Sequence, residues 1–299
     1  MKKLAIIIIN YNSTDHLIKC LTSIRGEPGG EHFHIIVVDN ASEDQSCLKN
    51  KVHSFDADLL LNQKNRGFAI ACNQAIRYCS EEFFLLLNPD VVIHKNSISN
   101  SLNYLKSKAQ TGIVGCRVLN PDGSLQLACR RSIPTVRNSF YHFLGLSKLF
   151  PKNQELSSYN LTYLDEKKTN EVEAVSGSFL MFRRKLVDEI GLIDEQFFLY
   201  GEDLDFCYRA LLAGWQVEYY SGAEVTHWKG QSSAQNVSKN TAHFFEAMKL
   251  FYMKHYAPTG HPVKTHTVIA SIKLLHVIKR ILHYLTSSPK IFSKHRMVW

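Results

Sequence analysis

Five consecutive apolar residues, Phe83-Phe84-Leu85-Leu86-Leu87, run straight into Asn88-Pro89-Asp90. An unbroken run of this kind suits a strand buried on both faces of a parallel sheet, not one with a wet face. Proline has no N–H for a ladder, so the strand must end there. Asp90 is then held just past the carboxyl end of a central strand. That edge is where ligands sit in open α/β sheets. A carboxylate beside an amide there has the chemistry to hold a hard divalent cation against a diphosphate. Asn, Pro and Asp are also ordinary turn formers, and taken alone the plain turn is the simpler reading.

The neighbouring chain changes that balance. Apolar runs over 4–9, 34–38, 59–61 and 113–118 predict further strands. Helical patterns run between them: from an N-cap at Ser13 to about residue 24, after Ala41-Ser42, from Asn65-Arg66-Gly67-Phe68 to residue 78, and over 97–108. Strands alternating with helices predict a mostly parallel, doubly wound sheet. Right-handed crossovers place the strand ends at Asn10, Asp39 and Asp90 on one rim, as in a nucleotide pocket. The first turn lacks GxGxxG and no GxxxxGK[ST] occurs, which disfavours a dinucleotide fold and a P-loop.

The second half is less regular. Residues 130–151 are aromatic and basic with weak periodicity, as in a mobile loop or an interfacial segment. A strand is expected over 171–182 through Ser176-Gly177-Ser178, and short strands over 217–219 and 223–226 before His227. Gly201-Glu202-Asp203 opens a helix that Gly214 closes. On that helix Leu204, Tyr208 and Leu211 are expected to face inward, with Asp205 and Arg209 an exposed ion pair. Arg183-Arg184-Lys185 reads as a solvated helix start sooner than as a phosphate clamp.

The seven cysteines are odd in number and form no CxxC, which points to a reducing compartment and against a disulfide framework or structural zinc. The run at 4–9 is too short for a signal-peptide core. No stretch of eighteen residues lacks charge or strong polarity, so a transmembrane helix is not expected. The net charge of +8 is localised: residues 247–299 hold nine Lys or Arg and no acid, leaving 26 of the 35 basic residues against 27 acidic ones. Over 268–285 Lys273, His276, Lys279, Arg280 and His283 share one sector of a helical wheel. Ala270, Leu274, Val277, Ile278, Ile281 and Leu285 fill the opposite one. That is the pattern of a helix lying in an anionic membrane interface, with a helix packed on the body as its rival.

Seven stretches in order resemble glycosyltransferases of family 2, and most of all their rhamnosyltransferase branch: Ile9-Asn10-Tyr11-Asn12, Val37-Val38-Asp39-Asn40-Ala41-Ser42, Asn65-Arg66-Gly67-Phe68 with Asn73, Asn88-Pro89-Asp90, Ser176-Gly177-Ser178, Gly201-Glu202-Asp203 and His227. Each is weak alone, and their order is what makes them specific. The resemblance implies a GT-A fold, with a nucleotide-sugar half over 1–125 and an acceptor half over 126–246. Residues 247–299, outside the resemblance, form the expected membrane tail. It also implies a nucleotide-sugar donor and a divalent metal, Mg²⁺ or Mn²⁺. Asn10, Tyr11 and Asn12 would line base and ribose, Asp39 would bond the pyrimidine, and Asn65-Arg66-Gly67 would lie by the ribose or diphosphate. Asn88 and Asp90 would meet the donor, with Asp90 and His227 as metal ligands. Asn88 departs from the family's DxD, where an acid stands first, and its amide is a weaker ligand. Gly177, Ser178 and Glu202 would touch the acceptor, and Asp203 would be the catalytic base.

The expected activity is inverting, metal-dependent transfer of a sugar, best matched by L-rhamnose from dTDP-L-rhamnose, to a lipid-linked saccharide. A UDP-sugar is the alternative donor. The expected place is the cytoplasmic face of the cell membrane. A sugar-phosphate nucleotidyltransferase would carry a Gly-rich Arg/Lys loop after its first strand, and Asn10-Tyr11-Asn12-Ser13 offers none. A nucleic-acid binder would spread its basic charge over a domain face.

Overall fold

The apolar runs of the first ninety residues form the strands that alternation demands. β1 (Leu4–Asn10), β2 (His34–Asp39), β3 (Ala57–Leu61) and β4 (Phe83–Leu87) pair in parallel in the order β3-β2-β1-β4. α1 (Thr14–Arg25), α2 (Gln45–His53) and α3 (Phe68–Tyr78) connect them. Every residue of β1 and β4 is buried, as two covered faces require. The structure is a computed structural model that describes residues 3–228 and 237–287. Ser13 occupies the N-cap position of α1, yet its buried hydroxyl makes no capping bond.

The remaining strands extend the same sheet. In chain order they and their helices are β5 (Val91–Ile93), α4 (Ser97–Ser107), β6 (Thr111–Leu119), β7 (Arg130–Arg131), α5 (Val136–Phe143), α6 (Leu146–Leu149), β8 (Asn170–Val172), β9 (Ala174–Val175), β10 (Phe179–Arg183), α7 (Arg184–Ile190), α8 (Glu202–Leu212) and β11 (Gln216–His227). The main sheet runs β3-β2-β1-β4-β10-β6-β11-β5, with β8 added beside β11. β10 lies antiparallel between β4 and β6, and β11 runs parallel to β6. Phe182 of β10 meets Phe84 at 5.2 Å and Phe206 of α8 at 5.1 Å, which seats α8 on the sheet.

Several local expectations are corrected. The strand expected over 171–182 is three strands, because β8 pairs with β11, β9 with β7, and β10 with β4 and β6. The two strands expected near 217–226 are one, β11, with a register shift between Tyr220 and Glu224. Residues 130–151 are not an irregular loop. Thr135 and Asn138 form a reciprocal capping box that starts α5. The inward face of α8 carries Glu202, Asp205, Phe206, Cys207 and Ala210 in place of Leu204, Tyr208 and Leu211. Asp205 is therefore buried, not exposed.

A helix does start at Arg184 and Lys185 is exposed, but Arg183 and Arg184 are half-buried and bind backbone carbonyls. Arg183 donates to Thr111 O at 2.9 Å and Lys108 O at 2.7 Å. Arg184 donates to Glu81 O at 2.7 Å and Cys79 O at 2.6 Å. Lys108 and Cys79 end α4 and α3, so these guanidinium groups satisfy helix carbonyls that have no partner within the helix. They do so at the start of β4, the end away from Asp90.

The chain divides into two units, Met1–Gln235 and Asn236–Trp299. In the second, α9 (Val237–His255) and α10 (Pro262–Ser287) pack together, with His276 stacked on Phe245 at 4.9 Å. Leu274, Val277, Ile278, Ile281, Leu282 and Leu285 of α10 are exposed. The side chain of His283 lies outside the described residues. Among the described residues no helix is long and apolar enough to cross a membrane.

Asp205 Oδ2 accepts from Arg209 Nε at 2.8 Å, and Arg209 also donates to Ile190 O and Leu192 O. Asp205→Ala leaves that guanidinium without its buried counter-charge, and such a loss costs about 3–5 kcal/mol. The expected outcome is a fall in melting temperature of roughly ten degrees, measured by circular dichroism. A fall of under two degrees would mean that the pair is not structural.

Candidate active site

The rim at the carboxyl ends of β1, β2 and β4 collects the polar groups that the strands exclude. Asn10 and Asp39 are register partners at the ends of β1 and β2 and both are fully buried. Asn10 Nδ2 donates to Asp39 Oδ1 at 2.8 Å, and Ser42 Oγ donates to the same oxygen at 2.6 Å. Asp39 Oδ2 accepts from Ser42 N at 2.9 Å and Gln45 Nε2 at 2.6 Å. Each carboxylate oxygen thus holds two protein donors. A nucleobase can reach Asp39 only by exchange, and two of its partners have a second acceptor: Gln45 Nε2 donates to Asn62 O at 3.0 Å and Asn10 Nδ2 to Ser42 Oγ at 3.2 Å.

Asn12 and Ala41 both have positive φ, 49° and 70°. Ala41 has no side-chain hydrogen bond with which to relieve that geometry, so strain collects beside the rim. Tyr11, next to Asn12 in the chain and exposed, offers a ring face. Asn12 N donates to Ser42 Oγ at 2.8 Å, which fixes the loop around it.

The loop before α3 rests on a lattice of amides. Asn65 Oδ1 accepts from Gly67 N at 2.9 Å and Asn40 Nδ2 at 3.1 Å, and Asn40 Oδ1 accepts from Arg66 N at 3.1 Å. The Arg66 side chain is exposed. Gly67 has φ +86°, and a Cβ there would lie 2.8 Å from Phe198 O, so glycine is required both by angle and by space. Asn73 is a tie, not a rim group: it donates to Ile193 O and accepts from Ile193 N.

Past β4, Asp90 and His227 meet. Asp90 Oδ1 lies 3.1 Å from His227 Nε2, both side chains are buried, and Asn88 Nδ2 is 3.3 Å from the same nitrogen. Gln126 fixes the ring. Its Nε2 donates to His227 O at 2.8 Å, so its Oε1 faces His227 Nδ1 at 2.9 Å and accepts from it. Nδ1 therefore carries a proton, and Nε2 is the nitrogen turned toward the carboxylate. An oxygen and a ring nitrogen about 3 Å apart, the ring held from behind by an amide, fit two adjacent positions around a divalent cation. Among the described residues no third His, Cys, Asp or Glu joins them, so a substrate would have to complete the sphere.

The turn Ser176-Gly177-Ser178 joins this pair to the acidic start of α8. Ser178 O accepts from Asn88 N at 3.2 Å, and Gly177 N donates to Asp203 Oδ2 at 3.1 Å. Ser178 itself is buried, its hydroxyl donating to Ser176 Oγ at 3.0 Å. Arg131 Nη2 donates to Asp203 Oδ2 at 2.6 Å and to Val175 O at 3.2 Å. Asp203 Oδ1 accepts from Leu204 N at 2.8 Å. The Asp203 carboxylate is thus fixed on both oxygens.

Glu202 is the contrast. It opens α8 after Gly201, is buried, and its Oε2 has no hydrogen-bond partner among the described residues. With Asp203 it lines a small cavity bounded by Phe68, Leu86, Leu180, Ile193 and Phe206. Burial first, and the Asp203 charge second, push its carboxyl up to about 8. One guanidinium serves two carboxyls, and Asp203 has it. Sequence reasoning missed Arg131 and Gln126 as site residues. Arg131 reaches Asp203 because β7 pairs with β9, and Gln126 reaches His227 across 101 residues of chain, so no local spacing marks either.

A sequence model of the family described as "Glycosyltransferase like family 2" matches residues 2–245. The chain is 26% identical over 259 residues to an N-acetylglucosaminyl-diphospho-decaprenol L-rhamnosyltransferase of Mycobacterium tuberculosis, covering 83% of each chain. It is also 26% identical over 243 residues to the rhamnosyltransferase WbbL of Escherichia coli K12, covering 78% of this chain and 86% of that one. Among solved structures, the mannosyltransferase PcManGT of Pyrobaculum calidifontis in complex with GDP-Man and Mn²⁺ superposes with a TM-score of 0.57 at 16% identity, over 92% of this chain and 69% of that one. The fold is thus of the GT-A type, as the resemblance implied.

The Glu202 carboxyl gives a pH test. The native chain keeps that proton to about pH 8, whereas the unfolded chain releases it near 4.5, so stability falls as pH rises between the two. Glu202→Gln has no proton to release. It should match the parent at pH 5 and exceed it by roughly 2–4 kcal/mol at pH 8.5. Thermal melts across that range check this, and a constant difference between the two chains would refute it.

Proposed function

The chain belongs to the family 2-like glycosyltransferases and is rhamnosyltransferase-like in sequence, and from that premise we propose that it transfers L-rhamnose, with inversion, from dTDP-L-rhamnose to a hydroxyl of a lipid-linked saccharide in cell-surface polysaccharide assembly. The observation that carries this reading is the convergence, on either side of one turn, of a buried Asp90–His227 pair and the fixed carboxylate of Asp203.

In this reading residues 1–125 hold the donor and 126–246 the acceptor. Tyr11 stacks on the base, Asn10, Asn12 and Asp39 frame the nucleoside, and the Asn65-Arg66-Gly67 loop and Asn88 face the ribose and diphosphate. Asp90 and His227 would hold a divalent cation, which would supply Lewis acidity toward the leaving diphosphate. Gly177, Ser178 and Glu202 orient the acceptor. Asp203 takes the proton from the acceptor hydroxyl as that oxygen attacks the anomeric carbon on the face opposite the diphosphate. Arg131 and the Gly177 N–H hold Asp203 in line. The basic α10, with its exposed aliphatic face, sits on an anionic membrane surface and keeps the enzyme on the cytoplasmic face beside its lipid-linked acceptor.

Asp203→Asn keeps size but removes the proton acceptor. Turnover should drop by about two to four orders of magnitude, with donor binding nearly unchanged. Near-normal turnover in that variant, together with its abolition in Glu202→Gln, would move the base to Glu202. The donor is tested by competition between dTDP and UDP for the site, with dTDP expected to bind the tighter. A clear preference for UDP would replace rhamnose by a UDP-linked sugar.

A further inference from the structure

α5 is built inside out. Val136, Phe140, Phe143 and Leu144 stand at i, i+4, i+7 and i+8, one face of a helix, and all four are exposed, Phe140 to 58%. The face turned to the protein is polar. Asn138 is buried there, its Nδ2 donating to Ser132 Oγ and Ile133 O, both at 2.9 Å. His142, on the same side, meets the Tyr159 ring at 4.7 Å, tilted to it. The next turns repeat the inversion: Ser147 of α6 is buried, while Leu149 and Phe150 are exposed to 69% and 51%. A helix in water orders these faces the other way, and a cluster of six large apolar side chains on a surface marks a docking site.

The charge around the patch says what docks. From Gly123 to Gln154 the chain has five Lys or Arg and no acid. Arg130 and Arg131 are spent inside the fold, and Arg137 is paired with Glu155. Lys148 and Lys152 remain, exposed on either side of Leu149-Phe150. Apolar side chains flanked by long cations, without an acid among them, match acyl chains beneath anionic headgroups. The segment is also firmly held. Ile133 N donates to Glu173 Oε2 at 2.7 Å, and the Thr135–Asn138 box fixes the start of α5. Four residues separate this helix from Arg131, which touches Asp203.

We propose that the α5–α6 face is a bilayer-docking surface, independent of the basic tail, in which Phe140, Phe143, Leu144, Leu149 and Phe150 insert among lipid chains while Lys148 and Lys152 meet anionic headgroups. Its purpose, though not its binding, rests on the lipid-linked acceptor proposed above. A wedge rigidly joined to the Asp203 support holds the catalytic carboxylate at a fixed height over the membrane, where such an acceptor presents its sugar.

The test uses the full chain and vesicles of phosphatidylcholine with phosphatidylglycerol, some of the lipid brominated. Phe140→Trp should show emission quenched by the brominated lipid beyond the quenching of the three native tryptophans in the parent. A triple variant, Phe140→Ser with Leu144→Ser and Leu149→Ser, should weaken vesicle partition by about tenfold or more while donor hydrolysis without acceptor stays unchanged. Tail substitutions added to the Phe140→Trp chain, Leu274→Ser with Ile278→Ser and Ile281→Ser, should leave its excess quenching in place at saturating lipid. Absence of excess quenching on vesicles that do bind the protein would overturn the proposal. So would unchanged partition of the triple variant, or a mass in solution that falls from dimer to monomer in that variant with no effect on vesicles. Failure of rhamnosyl transfer while the Phe140→Trp chain still shows its excess quenching would instead count against the proposed function alone.

Discussion

Burial of β4 on both faces leaves its polar chemistry one outlet, the carboxyl end. Pro89 closes the ladder on that side, and the backbone turns so that Asn88 N–H reaches Ser178 O, the point where β4 and β10 part. This bond sets the rest of the site. It brings the Ser176–Ser178 turn against the Asn88–Asp90 corner, and through Gly177 it links that corner to Asp203. β11 then delivers His227 opposite Val91, at the distance where its Nε2 faces Asp90. The geometry of the candidate site is thus a consequence of where an apolar strand has to stop.

The second constraint is electrostatic. Glu202 and Asp203 are adjacent at a helix start, a place that favours negative charge. The fold supplies one guanidinium, Arg131, and it goes to Asp203. Burial opposes the Arg131 charge, but Asp203 more than compensates and holds the guanidinium above its ordinary range. Glu202, left in an apolar cavity beside a charged neighbour, keeps its proton to about pH 8. Two adjacent carboxyls therefore differ in surroundings: one has a partner and the other has a cavity.

The apolar surface of the chain is distributed by the same logic. The sheet takes up its own large side chains, with Phe182 in contact with Phe84 of β4 and with Phe206 of α8. Of those it leaves out, some are scattered singly, as Leu61, Tyr78 and Leu212 are, but two groups gather, on the outer face of α5 and α6 and on one side of α10, both in stretches free of acid. Exposed apolar residues scattered singly need no explanation, whereas faces of this kind do.

Much of this was legible in the sequence. The strands β1 to β4, the rim at Asn10, Asp39 and Asp90, and the helix opened by Gly201-Glu202-Asp203 follow from apolar runs and turn residues a few positions apart, since local propensity and hydrophobic period act over that range. The membership of the chain in its family was legible for the same reason, as seven short stretches in fixed order. What the sequence could not contain is which distant groups meet. The splitting of 171–182 into three strands depends on three different partner strands. The inward face of α8 depends on where Phe182 lies. The capping box of α5 could have been found from Thr135 and Asn138, but not that the helix would turn its polar side inward, because that depends on Ser132, Ile133 and Tyr159 being underneath. The pairing of Arg131 with Asp203, which leaves Glu202 its proton, was decided by tertiary structure alone: two residues 72 positions apart meet only because β7 lies beside β9, and electrostatic energy depends on distance in space, not along the chain.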